Sequence, residues 1–193
     1  MRLWVLSDWH LDTFHGDFNP PRPEFDVLVV AGDVHDNIEH AIEFVRAVAD
    51  DKPAIFVAGN HEFWSDRCIQ TTLQRGHAAA KRTGVRFLEC GVTDIDGVSF
   101  AGATLWTVDH PRFRSSAGYL AASGCDVAIT HFEPPLEVIS LVRPRLWVYG
   151  HHHGHGDRQI GCTRVVRNGG RRDYGLAADD LTTDDFIVEI EPG

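Results

Sequence analysis

The chain has 193 residues, 43% of them hydrophobic and 24% charged, with a formal net charge of −10. That length and apolar content suit one domain, residues 1–193, with a buried core, and exclude a disordered tail. No apolar run approaches the roughly 18 residues of a membrane-spanning helix, and the acidic balance argues against a nucleic-acid backbone as the main partner.

In chain order, Met1 leads straight into Leu3–Leu6, a stretch too short for a signal-peptide core and read as a first strand of the mature fold. Further short apolar runs at Val27–Ala31, Ile55–Ala58, Val98–Ala101, Val127–Thr130 and Leu146–Tyr149 predict buried strands. Between the second and third, Asn37–Asp50 puts Ile38, Ala41, Ile42, Val45 and Val48 on one helical face. Between the third and fourth, Ser65–Thr83 reads as a helix closed by Gly84. Strand–helix alternation implies right-handed crossovers and a mainly parallel sheet. Farther on, Val92–Ala103 predicts a hairpin turning at Asp96-Gly97. Gln159–Asn168 predicts a second strand pair around Gly161 and Cys162, and Phe186–Ile190 alternates as a closing strand. Trp106–Arg114 and Gly169–Asp185 read as loops. The expectation is an α/β fold with two packed sheets. Cys68, Cys90, Cys125 and Cys162 form no C-x-x-C pair, which predicts reduced, mostly buried thiols and a cytoplasmic protein.

Oxygen and imidazole donors recur just after the predicted strands: Asp8 and His10, then Asp33, then Asn60 and His61, then His131, then His151 and His153. Strand carboxyl ends line the functional crevice of an open α/β sheet. Histidine is dense, 12 in all with four inside 151–155. A mixed carboxylate, amide and imidazole set without thiolates suits zinc, manganese, iron or cobalt and not a closed structural zinc site. Asp8-x-His10 and His151-x-His153 would each present two side chains on one side of an extended chain. A carboxylate such as Asp33 can bridge two cations, and the glycines before Asp33, Asn60 and His151 permit close backbone approach.

The ordered set D-x-H, G-D, G-N-H-E, H and G-H-x-H, from Asp8 to His153, spans about three quarters of the chain. It resembles the calcineurin-like metallophosphoesterase superfamily, in particular its small stand-alone bacterial members. The resemblance implies a four-layer α-β-β-α sandwich of two mixed sheets flanked by helices. It also implies two divalent metal ions, drawn from Mn2+, Fe2+/Fe3+, Zn2+ or Co2+. One would be held by Asp8, His10, Asp33 and His153, the other by Asp33, Asn60, His131 and His151. A hydroxide between ions roughly 3.5–4 Å apart would then attack a phosphate ester. The implied role of His61 is to stabilise the phosphoryl group and protonate the leaving oxygen. Asp36, three residues after Asp33, either orients His61 as it does in relatives with a dyad or caps the helix near Asn37.

Several residues carry two readings. Arg112 and Arg114, with Asn60 and His61, either grip the substrate or, for the arginines, simply meet solvent. His152 and His155 either support neighbouring ligands or face water. Glu62 is read as the start of the next helix; His35, His40 and His77 as surface or packing residues; Trp9, Trp64 and Trp106 as core. The phosphoprotein phosphatase branch has Arg-Gly after position 36, where this chain has Asn37-Ile38, so a small phosphorylated substrate is expected. The competing functions are a metal-free binding scaffold, which would have lost ligands, and a nuclease, which would need a basic groove or an added capping domain.

Overall fold

The computed structural model describes residues 1–13, 22–66, 68–170 and 187–192. In chain order these form β1 (Arg2–Leu6), β2 (Val27–Ala31), α1 (Ile38–Ala49), β3 (Ala54–Val57), α2 (Ile69–Thr83), β4 (Arg86–Phe87), β5 (Gly91–Ile95) and β6 (Val98–Ala103). There follow α3 (Phe113–Ser123), β7 (Val127–Thr130), α4 (Leu136–Val142), β8 (Leu146–Tyr149), β9 (Gly154–Ile160), β10 (Thr163–Gly169) and β11 (Ile187–Glu189).

The strands make two mixed sheets, ordered β11-β1-β2-β3-β4 and β5-β6-β7-β8-β10-β9. In the first, β1 through β4 run parallel and β11 pairs antiparallel with β1. In the second, β6, β7, β8 and β10 run parallel, with antiparallel β5 and β9 at the edges. Strand alternation divides the apolar side chains into three layers. Val27, Val29, Ile55 and Val57 meet Phe100, Val127, Ile129 and Val148 between the sheets. Leu28, Val30 and Phe56 point the other way onto Ile38, Ile42 and Val45 of α1 and Leu73 of α2. Ala101, Ala128, Trp147 and Val165 meet Leu120 of α3 and Ile139 of α4. The expected four-layer α-β-β-α sandwich is therefore present.

Differences at the element level have local causes. In α1 the cap is Asn37, whose Oδ1 accepts from the Glu39 and His40 amides. The second helix starts at Ile69 rather than near Ser65. The preceding His61–Phe63 segment closes a single 3₁₀ turn, and Asp66 spends its carboxylate on Thr72 and Arg75 instead of continuing the helix. Both α3 and α4 are additions to the expected elements, as is the two-residue β4. Cys68 and Cys162 are exposed, contrary to the expectation of mostly buried thiols, and all four cysteines are free. Most of the expected 169–185 loop, and Phe186, lie outside the described residues. No described helix is long and apolar enough to cross a membrane.

Candidate metal centre

The loops that leave β1, β2, β3, β7 and β8 meet at the carboxyl edge of the two sheets. Backbone hydrogen bonds stitch them together: Asp8 N–H to Gly32 O (2.9 Å), His10 N–H to Asp33 O (2.9 Å), Leu11 N–H to Val34 O (2.8 Å) and Gly150 N–H to His131 O (2.9 Å). Asp8, His10, Asp33 and His151 all have left-handed backbone, with φ of 59°, 48°, 56° and 65°. Such strain collects where a fold forces side chains into a functional arrangement. The D-x-H pair still shares one cluster, as expected, though on left-handed and not extended backbone, whereas the H-x-H pair does not. These residues lie past the strand ends, and His151 and His153 belong to different clusters.

Gly32 and Gly59 allow the closest approach. A Cβ at Gly32, which has φ of +87°, would lie 2.5 Å from the Gly59 nitrogen. One at Gly59 would lie 2.1 Å from Asp33 Oδ1. No side chain fits at either position.

Asp8, His10 and His153 offer ligand atoms within 4.8 Å of one another, and so do Asp33, His131 and His151. Asp33 stands between the groups. Its Oδ1 lies 3.4 Å from His131 Nε2, while its Oδ2 lies 3.9 Å from His10 Nε2 and 3.8 Å from His61 Nε2. Asn60 Oδ1 is 3.1 Å from His131 Nε2. His10 Nε2 is 3.2 Å from His153 Nε2, and His153 Nε2 is 3.8 Å from Asp8 Oδ1. Asp8 is anchored by the Ser7 hydroxyl and the His151 amide. All seven expected ligands thus converge. His61 also joins His10 and Asp33 in a third group of the same compactness.

The donor set can be tested for a cation. His131 Nδ1 is 2.8 Å from the Ala31 carbonyl and must donate to it. That leaves Nε2 facing Asn60 Oδ1 and Asp33 Oδ1 across a buried gap, so a proton or a metal ion has to sit among three acceptors. Without a cation, a proton would take that place. Burial alone would push His131 down, but the Asp33 carboxylate holds it up at about 9. Burial likewise opposes ionisation of Asp33, yet His131 keeps that carboxyl well below the usual carboxylate range. Burial raises Asp8 against the pull of His131, and burial with the neighbouring His131 charge lowers His151 to about 4. A cation fits where these electron-rich atoms converge.

Three residues near the centre depart from expectation. Glu62 does not simply begin a helix. It is 1% exposed and accepts the amides of Asp33 (3.0 Å), Val34 (2.7 Å), His35 (3.2 Å) and Gly59 (2.6 Å), joining the Asp33 loop to the Asn60 loop. Burial and the Asp33 charge push it up to about 7. Trp64 is not core: it is 61% exposed and lies over the His61 ring, centroids 3.5 Å apart. Asp36 fills neither expected role. Its Oδ1 pairs with His35 Nδ1 at 2.9 Å, the cap is Asn37, and the carboxylate facing His61 Nδ1 is Asp12, at 3.9 Å.

The remaining candidates lie around this set. Arg112 precedes α3, where its charge bears on Glu89, Cys68 and Cys90, and Arg114 is exposed on the first turn of that helix. His152 pairs with Glu133 at 3.4 Å on the surface. Trp9 is core, edge-on to Phe44, and Trp106 stacks on His110. Glu62 closes the G-N-H-E block, but its part as an acceptor left no sequence signal, because its four donors come from two loops. Asp12 could have been found by extending D-x-H by one more alternate position.

The sequence model of the family described as calcineurin-like phosphoesterase matches residues 1–155. Among solved structures, phosphopantetheinyl hydrolase (PptH) from Mycobacterium tuberculosis superposes over 99% of this chain and 96% of its own, with 17% identity and a TM-score of 0.60. Vps29 from Chaetomium thermophilum covers 86% of this chain and 67% of its own at 12% identity and a TM-score of 0.41. No curated protein matches the chain. At 17% identity the first of these likenesses shows a shared fold.

Proposed function

Because the chain belongs to the calcineurin-like phosphoesterase family, we propose that it hydrolyses a small phosphorylated substrate at a centre of two divalent cations, with His61 as general acid. The observation that carries this reading is the gap shared by His131 Nε2, Asn60 Oδ1 and Asp33 Oδ1, beside a second set of converging donors. Asp8, His10, Asp33 and His153 would hold one ion, and Asp33, Asn60, His131 and His151 the other. The mixed oxygen and nitrogen donors suit manganese, iron, zinc or cobalt. When bound, such ions make a water nucleophilic and neutralise charge on phosphate oxygens.

The protein's own groups supply the rest. Asp33 spans both clusters through its two oxygens, so its position sets their spacing. Hydrogen bonds from Ser7 and His151 fix Asp8. The His61 backbone amide donates to Asp33 Oδ1 at 2.9 Å, which fastens the acid to the bridging carboxylate. In the reaction a water oxygen bonds to phosphorus and the P–O bond to the leaving group breaks. The His61 proton passes to the departing oxygen, and solvent restores it. A poor alkoxide leaving group needs that proton in a diester and a monoester alike, and the reading leans to a diesterase or general phosphohydrolase. Asn37-Ile38 in place of Arg-Gly argues against phosphoprotein substrates. The widely spaced cysteines support the cytoplasm as the compartment.

The experiment is hydrolysis of bis-p-nitrophenyl phosphate and p-nitrophenyl phosphate by manganese-loaded protein. Activity on at least one ester is expected, with His61→Ala retaining its metal and losing kcat. Inactivity of fully loaded protein on both esters, and on a wider ester panel, would contradict the reading.

A further inference from the structure

Asp12 is a largely covered carboxylate beside the ligand cluster. Its side chain is 10% exposed, yet among the described residues its Oδ1 has no hydrogen-bond partner. A carboxylate removed from water requires donors or a cation. Its other oxygen, Oδ2, faces His61 Nδ1 at 3.9 Å.

The residue is held there by backbone. His10 through Thr13 close a turn, with the Thr13 amide donating to His10 O at 3.0 Å and the Thr13 hydroxyl reinforcing it at 3.3 Å. The amides of His10 and Leu11 are tied to Asp33 and Val34. Asp12 therefore rides on the same rigid loop pair that carries Asp8, His10 and Asp33. The His61 ring is confined too, by the Trp64 indole against one face and by its own amide on Asp33. Its Nδ1 meets His10 Nδ1 at 3.2 Å and Asp12 Oδ2 a little farther away. Of these two neighbours Asp12 is the carboxylate, and it bounds the ring along its Nδ1 edge. With that edge occupied, Nε2, which lies 3.8 Å from Asp33 Oδ2, is the nitrogen turned toward the ligand cluster and the leaving oxygen.

We propose that Asp12 is the positioning residue of His61, in the place that Asp36 was expected to fill. This rests on the reading of His61 as the general acid. It makes the acid pair depend on the loop after β1, two residues beyond a ligand, and not on the segment before α1.

The test compares Asp12→Asn, Asp12→Glu, His61→Ala and the double variant Asp12→Asn/His61→Ala, all manganese-loaded. Substrates are phosphate esters graded from p-nitrophenol to simple alcohols as leaving group. Asp12→Asn should lose about 10-fold to 100-fold in kcat on alcohol esters, and less than about threefold on p-nitrophenyl esters, with KM and metal content held. Asp12→Glu should recover part of the loss, and the double variant should match His61→Ala. Equal loss on all leaving groups, loss that adds to that of His61→Ala, or unfolding of both single Asp12 variants would make Asp12 structural and overturn the assignment. A His61→Ala loss that is itself independent of leaving group would instead remove the acid role from His61, and the positioning role with it. A leaving-group-dependent His61→Ala beside a wild-type Asp12→Asn would leave the acid standing and remove only Asp12.

Discussion

Glu62 makes a quantitative prediction. Both of its oxygens are used, Oε2 by the amides of Asp33 and Gly59 and Oε1 by those of Val34 and His35. Glu62→Ala strands the four N–H donors that Glu62 now accepts. At about 1 kcal/mol each, the low end for a stranded buried donor, the cost is about 4 kcal/mol. That is a large part of the roughly 5–15 kcal/mol that holds a typical domain together. Glu62→Gln keeps the shape but turns an NH2 toward two of the donors, a loss offset in part because the buried charge beside Asp33 is removed, so it should destabilise less than Glu62→Ala. The assay is urea unfolding of chelator-treated protein at pH 8, above the value of about 7 to which Glu62 is raised, with the exposed pair member Glu43 changed to Gln as control. Because Glu62 joins the two ligand loops, both variants should also bind manganese more weakly. A Glu62→Ala protein within about 0.5 kcal/mol of wild type, with unchanged metal affinity, would refute the reasoning.

Three further outcomes follow from the same geometry. His131 is held at about 9 against an ordinary value of 6.5 in the ion-free protein. Its proton therefore stabilises that state fully below about pH 6.5, and the contribution fades as pH rises through about 9. Urea unfolding across that window should show the decline after chelation and lose it when ions are loaded, since a ligand must give up its proton; identical pH profiles would contradict this. By the same competition, apparent metal affinity should rise from pH 6.5 to 9, as titration calorimetry would read. Gly59→Ala places a methyl 2.1 Å from Asp33 Oδ1 and 2.6 Å from its nitrogen, so a shift costing about 1–3 kcal/mol and a marked loss of metal binding are expected. Normal metal content in that variant would show that the loop yields elsewhere.

Much of this arrangement is legible in the sequence, for identifiable reasons. The buried strands announce themselves because both faces of each parallel strand are covered, which leaves runs such as Val27–Ala31 without polar interruption. The candidate ligands stand out because they follow those runs directly. By contrast, α3 buries little beyond Ser116, Ala117 and Leu120, so no apolar period marks it. The seven-residue α4 is too short to show one. Side-chain direction at the centre was also hidden. Left-handed backbone at Asp8, His10, Asp33 and His151 breaks the period-two rule from which facing pairs were read. Trp64 was read as core because composition carries no trace of a stacking partner three residues back.

The central claim is that Asp33 sits between two cations. Its most direct test is elemental analysis of the protein and of Asp33→Asn after equilibration with manganese and removal of free metal, with ester hydrolysis followed on the same samples. Two ions per wild-type chain are expected, with Asp33→Asn losing at least one of them together with turnover. A wild-type protein that is active with a single ion, or an Asp33→Asn protein that keeps both ions and full activity, would contradict the account.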